Sequence, residues 1–222
     1  MSKRKPKIAV VTLMRKGSKR YSNKVMAFVK GLPLYLHTVN FAKKLNLDYY
    51  LAHDYDRLDE CPKWVNQIKR DAELSGDYHD TNKEILSFNL NADIYIFLQV
   101  TSPYRNIENY EKSIDFFINN LELYDCGFAA HKYKDGLYYH YDATSANFFS
   151  DYRDDNGTGI YPATEIYRET GAFYIFKKSQ LYKRHILSGA AKKKLIIQDS
   201  YDIDINYKED VWRLNNENKT IT

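Results

Sequence analysis

Short apolar segments of strand length alternate along this chain with segments whose apolar residues recur at helical spacing. The strand-like segments are 8–13, 48–54, 93–98, 126–131, 171–176 and 195–197. The helical patterns cover 34–45, 81–90, 107–121, 179–187 and 207–216, and a further helix start is predicted at 61–65. Pro33 suits the first position of the first helix, and Ser179 suits a cap. Alternation of this kind predicts a mostly parallel sheet between two helical layers, a three-layer α/β/α fold.

Length and composition indicate one globular domain. The chain has 222 residues, of which 44% are hydrophobic and 28% charged, and this balance excludes a disordered chain. The net charge is only +4, with Lys and Arg spread among acids. A nucleic-acid partner is therefore not expected.

Hydropathy and cysteine usage indicate the cellular compartment. No apolar segment approaches the ~18 residues of a transmembrane helix, and the basic N-terminus is followed only by a strand-length apolar run. We therefore expect neither a signal peptide nor a membrane partner. The two cysteines, Cys61 and Cys126, have no CxxC spacing, which fits a reduced, cytoplasmic protein.

A basic, glycine-containing loop follows the first predicted strand. Five of the eleven residues in segment 14–24 are Lys or Arg. Glycine permits tight turns, and successive backbone N–H groups can form a concavity that binds anions. The loop therefore suits a polyphosphate, although it has neither the GxxxxGK[ST] nor the GxGxxG spacing, and a solvated basic loop is the alternative.

The third predicted strand runs into the sequence Gln-Val-Thr-Ser-Pro-Tyr-Arg at 99–105. Gln99, Thr101 and Ser102 thus stand at the carboxyl end of a strand, where open α/β sheets bind ligands. Their amide and hydroxyl groups can read a base edge or bind sugar hydroxyls. A simple turn before a helix accounts for Pro103 but not for the ordered polar set.

Two aspartates lie close together near the C-terminus. In an extended segment, alternation places Asp202 and Asp204 on the same side. Mg²⁺ takes one or two carboxylates together with phosphate oxygens and water, so the pair predicts a magnesium site. The alternative is that Asp204 or Asn206 caps the following helix.

These three motifs resemble, in order and spacing, those of the CMP-N-acetylneuraminic acid synthetases, or acylneuraminate cytidylyltransferases. The first loop is similar to the family's R-x-G-S-K-x-x-x-x-K-N, segment 99–105 to Q-P-T-S-P-L-R, and segment 202–210 to D-I-D-T-x-x-D. The residues that fall on the first pattern are Arg15, Gly17, Ser18, Lys19 and Lys24. The resemblance covers essentially the whole chain and implies the Rossmann-like sheet of nucleotide-diphospho-sugar transferases.

The resemblance also implies roles for these residues. The loop backbone and Arg15 would hold the β- and γ-phosphates of CTP, Lys24 would lie against the α-phosphate, and Asp202 and Asp204 would bind Mg²⁺. Segment 70–77 is similar to R-P-x-x-L-A-x-D, which makes Arg70 a candidate for phosphate or ribose binding. Where the family strand ends in Ser/Thr-Asp, this chain has His53-Asp54. Asp54 either lies near the nucleotide or caps a following helix.

Segment 132–168 is rich in aromatic residues, and we interpret it as an arm inserted into the single domain 1–222. In the resembled family this region exchanges between subunits and lines the acceptor site, which implies a homodimer. The family's R-x-Q-x-L-P is absent here, and 157–162 reads Gly-Thr-Gly-Ile-Tyr-Pro. Arg168 is a possible replacement charge for an acidic acceptor.

The expected activity is transfer of CMP from CTP to an acidic acceptor, with release of pyrophosphate and Mg²⁺ as the metal. A sialic, pseudaminic or legionaminic acid would serve surface polysaccharide biosynthesis. Because the arm motif differs, a phosphate or phosphonate acceptor stays open. A nucleotide-sugar glycosyltransferase and a nucleotide-binding homologue without turnover are the other hypotheses.

Overall fold

The computed structural model describes residues 4–71, 73, 80–133, 166–183, 186–187, 193–198, 201 and 203–217. Within these residues the strands are β1 Ile8–Met14, β2 Phe28–Val29, β3 Leu32–Pro33, β4 Asp48–His53, β5 Asn66–Lys69, β6 Ile94–Leu98, β7 Tyr124–Tyr133, β8 Ile166–Lys177 and β9 Lys193–Gln198. The helices are α1 Leu34–Leu45, α2 Thr81–Ser87, α3 Ile107–Asn119 and α4 Lys208–Asn216, and the 3₁₀ helices are Lys24–Met26 and Lys178–Tyr182.

Seven of these strands form one sheet in the order β5-β4-β1-β6-β8-β7-β9. The β5–β4, β4–β1, β1–β6 and β7–β9 pairs are parallel, and only β8 runs antiparallel to its neighbours β6 and β7. The predicted mostly parallel sheet is therefore confirmed. The carboxyl ends of β1, β4 and β6 lie along one edge, and so do the loops that follow them.

Helices cover both faces of the sheet. On one face, α1 and α3 pack on the inward residues of β1, β4, β6 and β8 in a single buried cluster. Its largest fully buried members include Tyr35, Tyr49, Tyr110, Phe117 and Phe173. On the other face, Ile85 of α2 and Leu181 pack against Tyr95 and Phe176. This arrangement is the predicted three-layer α/β/α architecture.

A third apolar cluster attaches the C-terminal segment 203–217 to the edge of the sheet at which β1, β4 and β6 end. Val211 and Leu214 of α4 pack with Val29 of the β2–β3 hairpin, Tyr104 and Ile205. Ile205 is fully buried, and its N–H donates to the carbonyl of Thr101 at 2.9 Å. Residues 203–206 are therefore held against the loop that follows β6.

Several local predictions are wrong. The predicted helix at 61–65 is a turn leading into β5, whose backbone pairs with β4. The predicted helix at 179–187 is the 3₁₀ helix Lys178–Tyr182, which begins without a side-chain cap. There the buried side chain of Gln180 donates to the carbonyl of Ile186 at 2.9 Å and supports a turn. Pro33 precedes α1 as its N-cap rather than opening it.

The predicted arm lies largely outside the described residues, since 134–165 are not among them. In the described part of the chain, no helix has the length and apolarity required to cross a membrane.

Candidate functional site

A cavity of about 580 Å³ opens at the carboxyl ends of β1 and β6. Its walls contain most of the residues predicted from the sequence: Arg15, Ser18, Lys19, Lys24, Arg70, Gln99 and Thr101. Gly17, Ser102 and Asp204 are not among its lining residues. Ser102 is buried, and Asp204 is connected to the cavity through its hydrogen bond with Thr101. None of the described residues that line the cavity is acidic, so its wall favours an anionic ligand.

The basic loop is fixed by contacts from the neighbouring strand. The backbone N–H of Lys16 donates to Oδ1 of Asp54 at 2.7 Å, and the N–H of Asn23 donates to the carbonyl of Lys16 at 3.3 Å. Tyr55 donates its hydroxyl to the Asn23 side chain. Asp54 therefore braces the loop, and the alternative that it caps a helix is wrong because β5 follows.

Lys24 links the basic loop to the C-terminal segment. Its Nζ donates to the carbonyl of Ile205 at 2.7 Å, and the side chain is half-buried. Burial lowers the pKa of the Lys24 amine, and Arg20 and Arg15 lower it further, while Asp204 and Asp210 act in the opposite direction. The amine therefore lies between the cations of the loop and the acids of the C-terminal segment.

A chain of hydrogen bonds joins the 99–105 motif to Asp204. The amide Nε2 of Gln99 donates to Oγ1 of Thr101 at 3.1 Å, and the Thr101 hydroxyl donates to Oδ1 of Asp204. The amide of Asn206 donates to Oδ2 of Asp204 at 2.8 Å. Two predicted motifs that are far apart in sequence therefore meet.

The donor set at Asp204 is compatible with a hard cation. Its carboxylate is exposed and receives hydrogen bonds from neutral groups, leaving lone pairs for a metal. Asp202 lies outside the described residues, and within them no group of three His, Cys, Asp or Glu side chains surrounds one point. The alternative cap is wrong, because α4 has Tyr207 as its N-cap and Asp210 accepts the N–H groups of Asn206 and Tyr207.

Arg70 lines the cavity, but its charge is already paired. Its Nε and Nη2 both donate to the carboxylate of Glu84 on α2, the second at 2.7 Å. The two side chains are 1% and 0% exposed. Arg70 is therefore a fixed part of the wall whose charge Glu84 offsets.

Two charged residues at the site, Arg20 and Glu84, were not predicted from the sequence. Arg20 lines the cavity with its guanidinium 5.8 Å from the ring centroid of Tyr207. Arg20 belongs to the basic segment 14–24, and its positive charge could have identified it as a candidate phosphate-binding residue. No sequence motif pointed to Glu84, because its role depends on a contact with Arg70 that forms only when α2 packs in the folded protein.

A mostly parallel α/β sheet with a cation-lined cavity at the carboxyl ends of its strands is the architecture of a protein that binds phosphate-bearing ligands. Sequence comparison is more specific, since the sequence model of the family Cytidylyltransferase matches residues 9–207. The chain therefore belongs to the cytidylyltransferase family of nucleotidyltransferases, which confirms the resemblance found in its motifs.

Curated relatives include the N-acylneuraminate cytidylyltransferase of Streptococcus agalactiae serotype V. It is 28% identical over 112 residues, which is 46% of this chain and 27% of the relative. The serotype III protein matches to the same extent. The match thus covers about a quarter of the length of these relatives.

Solved structures share the fold at low identity. A CMP:2-keto-3-deoxy-manno-octonic acid synthetase complexed with CTP aligns with a TM-score of 0.69 and 14% identity, covering 94% of this chain and 97% of that one. The 4-diphosphocytidyl-2C-methyl-D-erythritol synthase of Anaerococcus prevotii aligns with a TM-score of 0.60 and 14% identity, covering 95% and 97%. These likenesses confirm the Rossmann-like three-layer fold.

Proposed function

We propose that this protein is a CTP-dependent cytidylyltransferase that transfers CMP to an acidic acceptor and releases pyrophosphate. The observation that carries the proposal is the cation-lined cavity joined, through Thr101, to the carboxylate of Asp204. A triphosphate needs several cations on one side, and a transfer reaction needs its α-phosphate placed near the acceptor. Family membership supports CTP as the nucleotide.

In this reaction an acceptor oxygen attacks the α-phosphorus, and the bond to the bridging oxygen of the β-phosphate breaks. The electron pair of that bond leaves with pyrophosphate. Positioning and charge stabilisation contribute most in such transfers. Arg15 and Lys19 hold the β- and γ-phosphates with the backbone at Gly17 and Ser18, and Lys24 offsets charge developing at the α-phosphate.

The remaining wall residues orient the ligand. Arg70, neutralised by Glu84, contributes hydrogen bonds and shape rather than net charge. Gln99 and Thr101 contact base or sugar groups, whereas the predicted contact by Ser102 is not supported because its side chain is buried away from the cavity. Thr101 and Asn206 fix the orientation of the Asp204 carboxylate. Asp204 with Asp202 would hold Mg²⁺, which would supply positive charge to the phosphates and would lower the pKa of an acceptor hydroxyl.

The acceptor is assigned by chemical class. A nonulosonic acid of the sialic, pseudaminic or legionaminic type fits the named relatives and would place the enzyme in surface polysaccharide biosynthesis. Arg168 is exposed on β8 at the end of the arm segment, where its charge can attract a carboxylate. A phosphate or phosphonate acceptor would use the same charge. We further propose a cytoplasmic homodimer in which the 132–168 arm completes the acceptor site.

The two other hypotheses are less well supported. A nucleotide-sugar glycosyltransferase is disfavoured because the sequence model of the family Cytidylyltransferase matches residues 9–207. A nucleotide-binding homologue without turnover would bind CTP but release no pyrophosphate with any acceptor.

Pyrophosphate release from CTP tests the proposal across a panel of nonulosonic acids, phosphorylated small molecules and phosphonates, with and without Mg²⁺. We expect release that depends on both one acidic acceptor and Mg²⁺. Replacing CTP by UTP with the same acceptor is the matched control and should greatly reduce release. CTP binding without release for any acceptor in the panel would favour the non-catalytic hypothesis.

A further inference from the structure

The pairing of β8 with β7 is interrupted next to the carboxyl end of β6. On β7, Phe128 and Ala130 are two positions apart, but their partners on β8, Tyr174 and Glu169, are five apart. The additional residues of β8 therefore bulge out of the ladder beside Leu98, the last residue of β6. Such bulges often redirect side chains next to active sites.

Gly171 lies within this bulge and leaves space that the Gln99 side chain occupies. Its φ is +74°, a left-handed conformation that favours glycine. A Cβ at position 171 would lie 2.9 Å from Oε1 of Gln99, closer than real Cβ contacts allow. Any other residue at 171 would therefore push the Gln99 amide away.

Arg105 binds both sides of this contact. Its Nε donates to the carbonyl of Ala172 at 3.0 Å, and its Nη2 donates to the carbonyl of Gln99. Its Nη1 also reaches Oγ1 of Thr38 on α1 at 3.3 Å. One guanidinium thus ties the bulge to the cavity wall, and a lysine lacks the fork geometry to replace it.

The hydrogen bonds determine which way the Gln99 amide points. A carboxylate can only accept, so the Thr101 hydroxyl gives its proton to Asp204 and must accept from the amide of Gln99. The Nε2 group therefore faces Thr101, and Oε1 is placed next to Gly171. From the residues that the structure describes, this oxygen receives no hydrogen bond.

We propose that Gly171 and Arg105 are positioning residues that hold Gln99 so that Oε1 accepts a hydrogen bond from an amine or hydroxyl of the bound ligand. The inference rests on the proposed function, in which Gln99 lines the nucleotide and acceptor cavity. It adds that Gln99 recognises a donor group, and that the space left by the missing side chain of Gly171 determines where that recognition occurs.

A double-mutant cycle tests the coupling. We expect Gly171→Ala to lower kcat/KM at least ~10-fold, since misplacements of about 1 Å can cost 10²-fold. In a Gln99→Ala background, the same change should cost less than ~2-fold, because the displaced amide is already gone. An equal fold-loss in both backgrounds would show that Gly171 acts independently of Gln99 and would overturn the proposal.

Gly31→Ala is the matched control for backbone strain. Gly31 also has a left-handed φ, +82°, but a Cβ there would meet nothing within 4 Å. Both alanine variants should lose thermal stability to a similar degree, while only Gly171→Ala should lose activity. A similar activity loss in Gly31→Ala would assign the effect to general destabilisation and contradict the proposal.

A second readout requires no turnover. The ¹⁵N side-chain amide resonance of Gln99, assigned by its disappearance in Gln99→Ala, should shift in Gly171→Ala and Arg105→Met but not in Gly31→Ala. An unchanged resonance would overturn the positioning role. If the wild-type protein releases no pyrophosphate, the proposed function fails, and this measurement still decides the positioning inference.

Discussion

Replacing Lys24 with alanine should lower kcat for pyrophosphate release at least ~10²-fold, the scale for losing a donor that stabilises developing charge. Lys24 is the half-buried cation between the basic loop and Asp204, with its Nζ 2.7 Å from the carbonyl of Ile205. Steady-state kinetics with saturating CTP and acceptor would measure the loss. An unchanged kcat would remove Lys24 from the mechanism.

A matched control separates this role from general effects of removing a lysine. Lys44 is exposed in the last turn of α1, and Lys44→Ala should leave kcat within about two-fold, as expected for an exposed site away from the cavity. Thermal unfolding of both variants would show whether losing the contact with Ile205 also loosens the C-terminal segment.

The protonation of Lys24 adds a pH signature. Because burial lowers the pKa of its amine, the ammonium ion is lost at a lower pH than in an ordinary exposed lysine. In the profile of kcat/KM, which reports the free enzyme, the rate should fall as pH rises through that pKa. Lys24→Arg keeps its charge, so the falling limb should move to higher pH, and a limb that stays in place would belong to another group.

Replacing Glu84 with leucine should destabilise the protein by about 3–5 kcal/mol, because it leaves the buried guanidinium of Arg70 without its partner. The two side chains are 1% and 0% exposed and are joined by two hydrogen bonds. Urea unfolding followed by circular dichroism would measure the change. A loss below ~1 kcal/mol would mean that water reaches the pair.

Two further variants give this prediction its controls. Lys83→Ala removes an ion pair on the same helix, whose partners Lys83 and Asp80 are 74% and 37% exposed, and should cost less than ~1 kcal/mol. The double variant Arg70→Leu/Glu84→Leu should recover much of the stability, because no buried charge is left unpaired. If Arg70 contacts the nucleotide, the double variant folds but has a higher KM for CTP.

Local sequence patterns predicted the central strands and helices because the spacing of apolar residues within each segment determines which of the two it forms. Strands β1 and β6 are runs of apolar residues, and α1 and α3 have clear helical spacing. β5 was missed because its residues, Asn66–Lys69, are mostly polar and pair only at the sheet edge. The helix predicted at 179–187 failed because the buried Gln180 side chain supports a turn instead.

In the candidate site as well, residues within local motifs were predictable and contacts between distant segments were not. Arg15, Lys19, Lys24, Gln99 and Thr101 were predicted from motifs, and all line one cavity. Contacts between distant residues were not predictable, because they depend on how the elements pack. Thr101 and Asp204 are 103 positions apart, and so the hydrogen bond between them could not be read from either motif.

The central claim is that one triphosphate binds between the basic loop and the acidic C-terminal segment. A crystal structure of the protein with CTP and Mg²⁺, without acceptor, tests it most directly. We expect the β- and γ-phosphates to contact Arg15 and Lys19, and the α-phosphate to lie between Lys24 and Asp204. A triphosphate bound elsewhere on the protein, or with its α-phosphate remote from Asp204, would contradict the account.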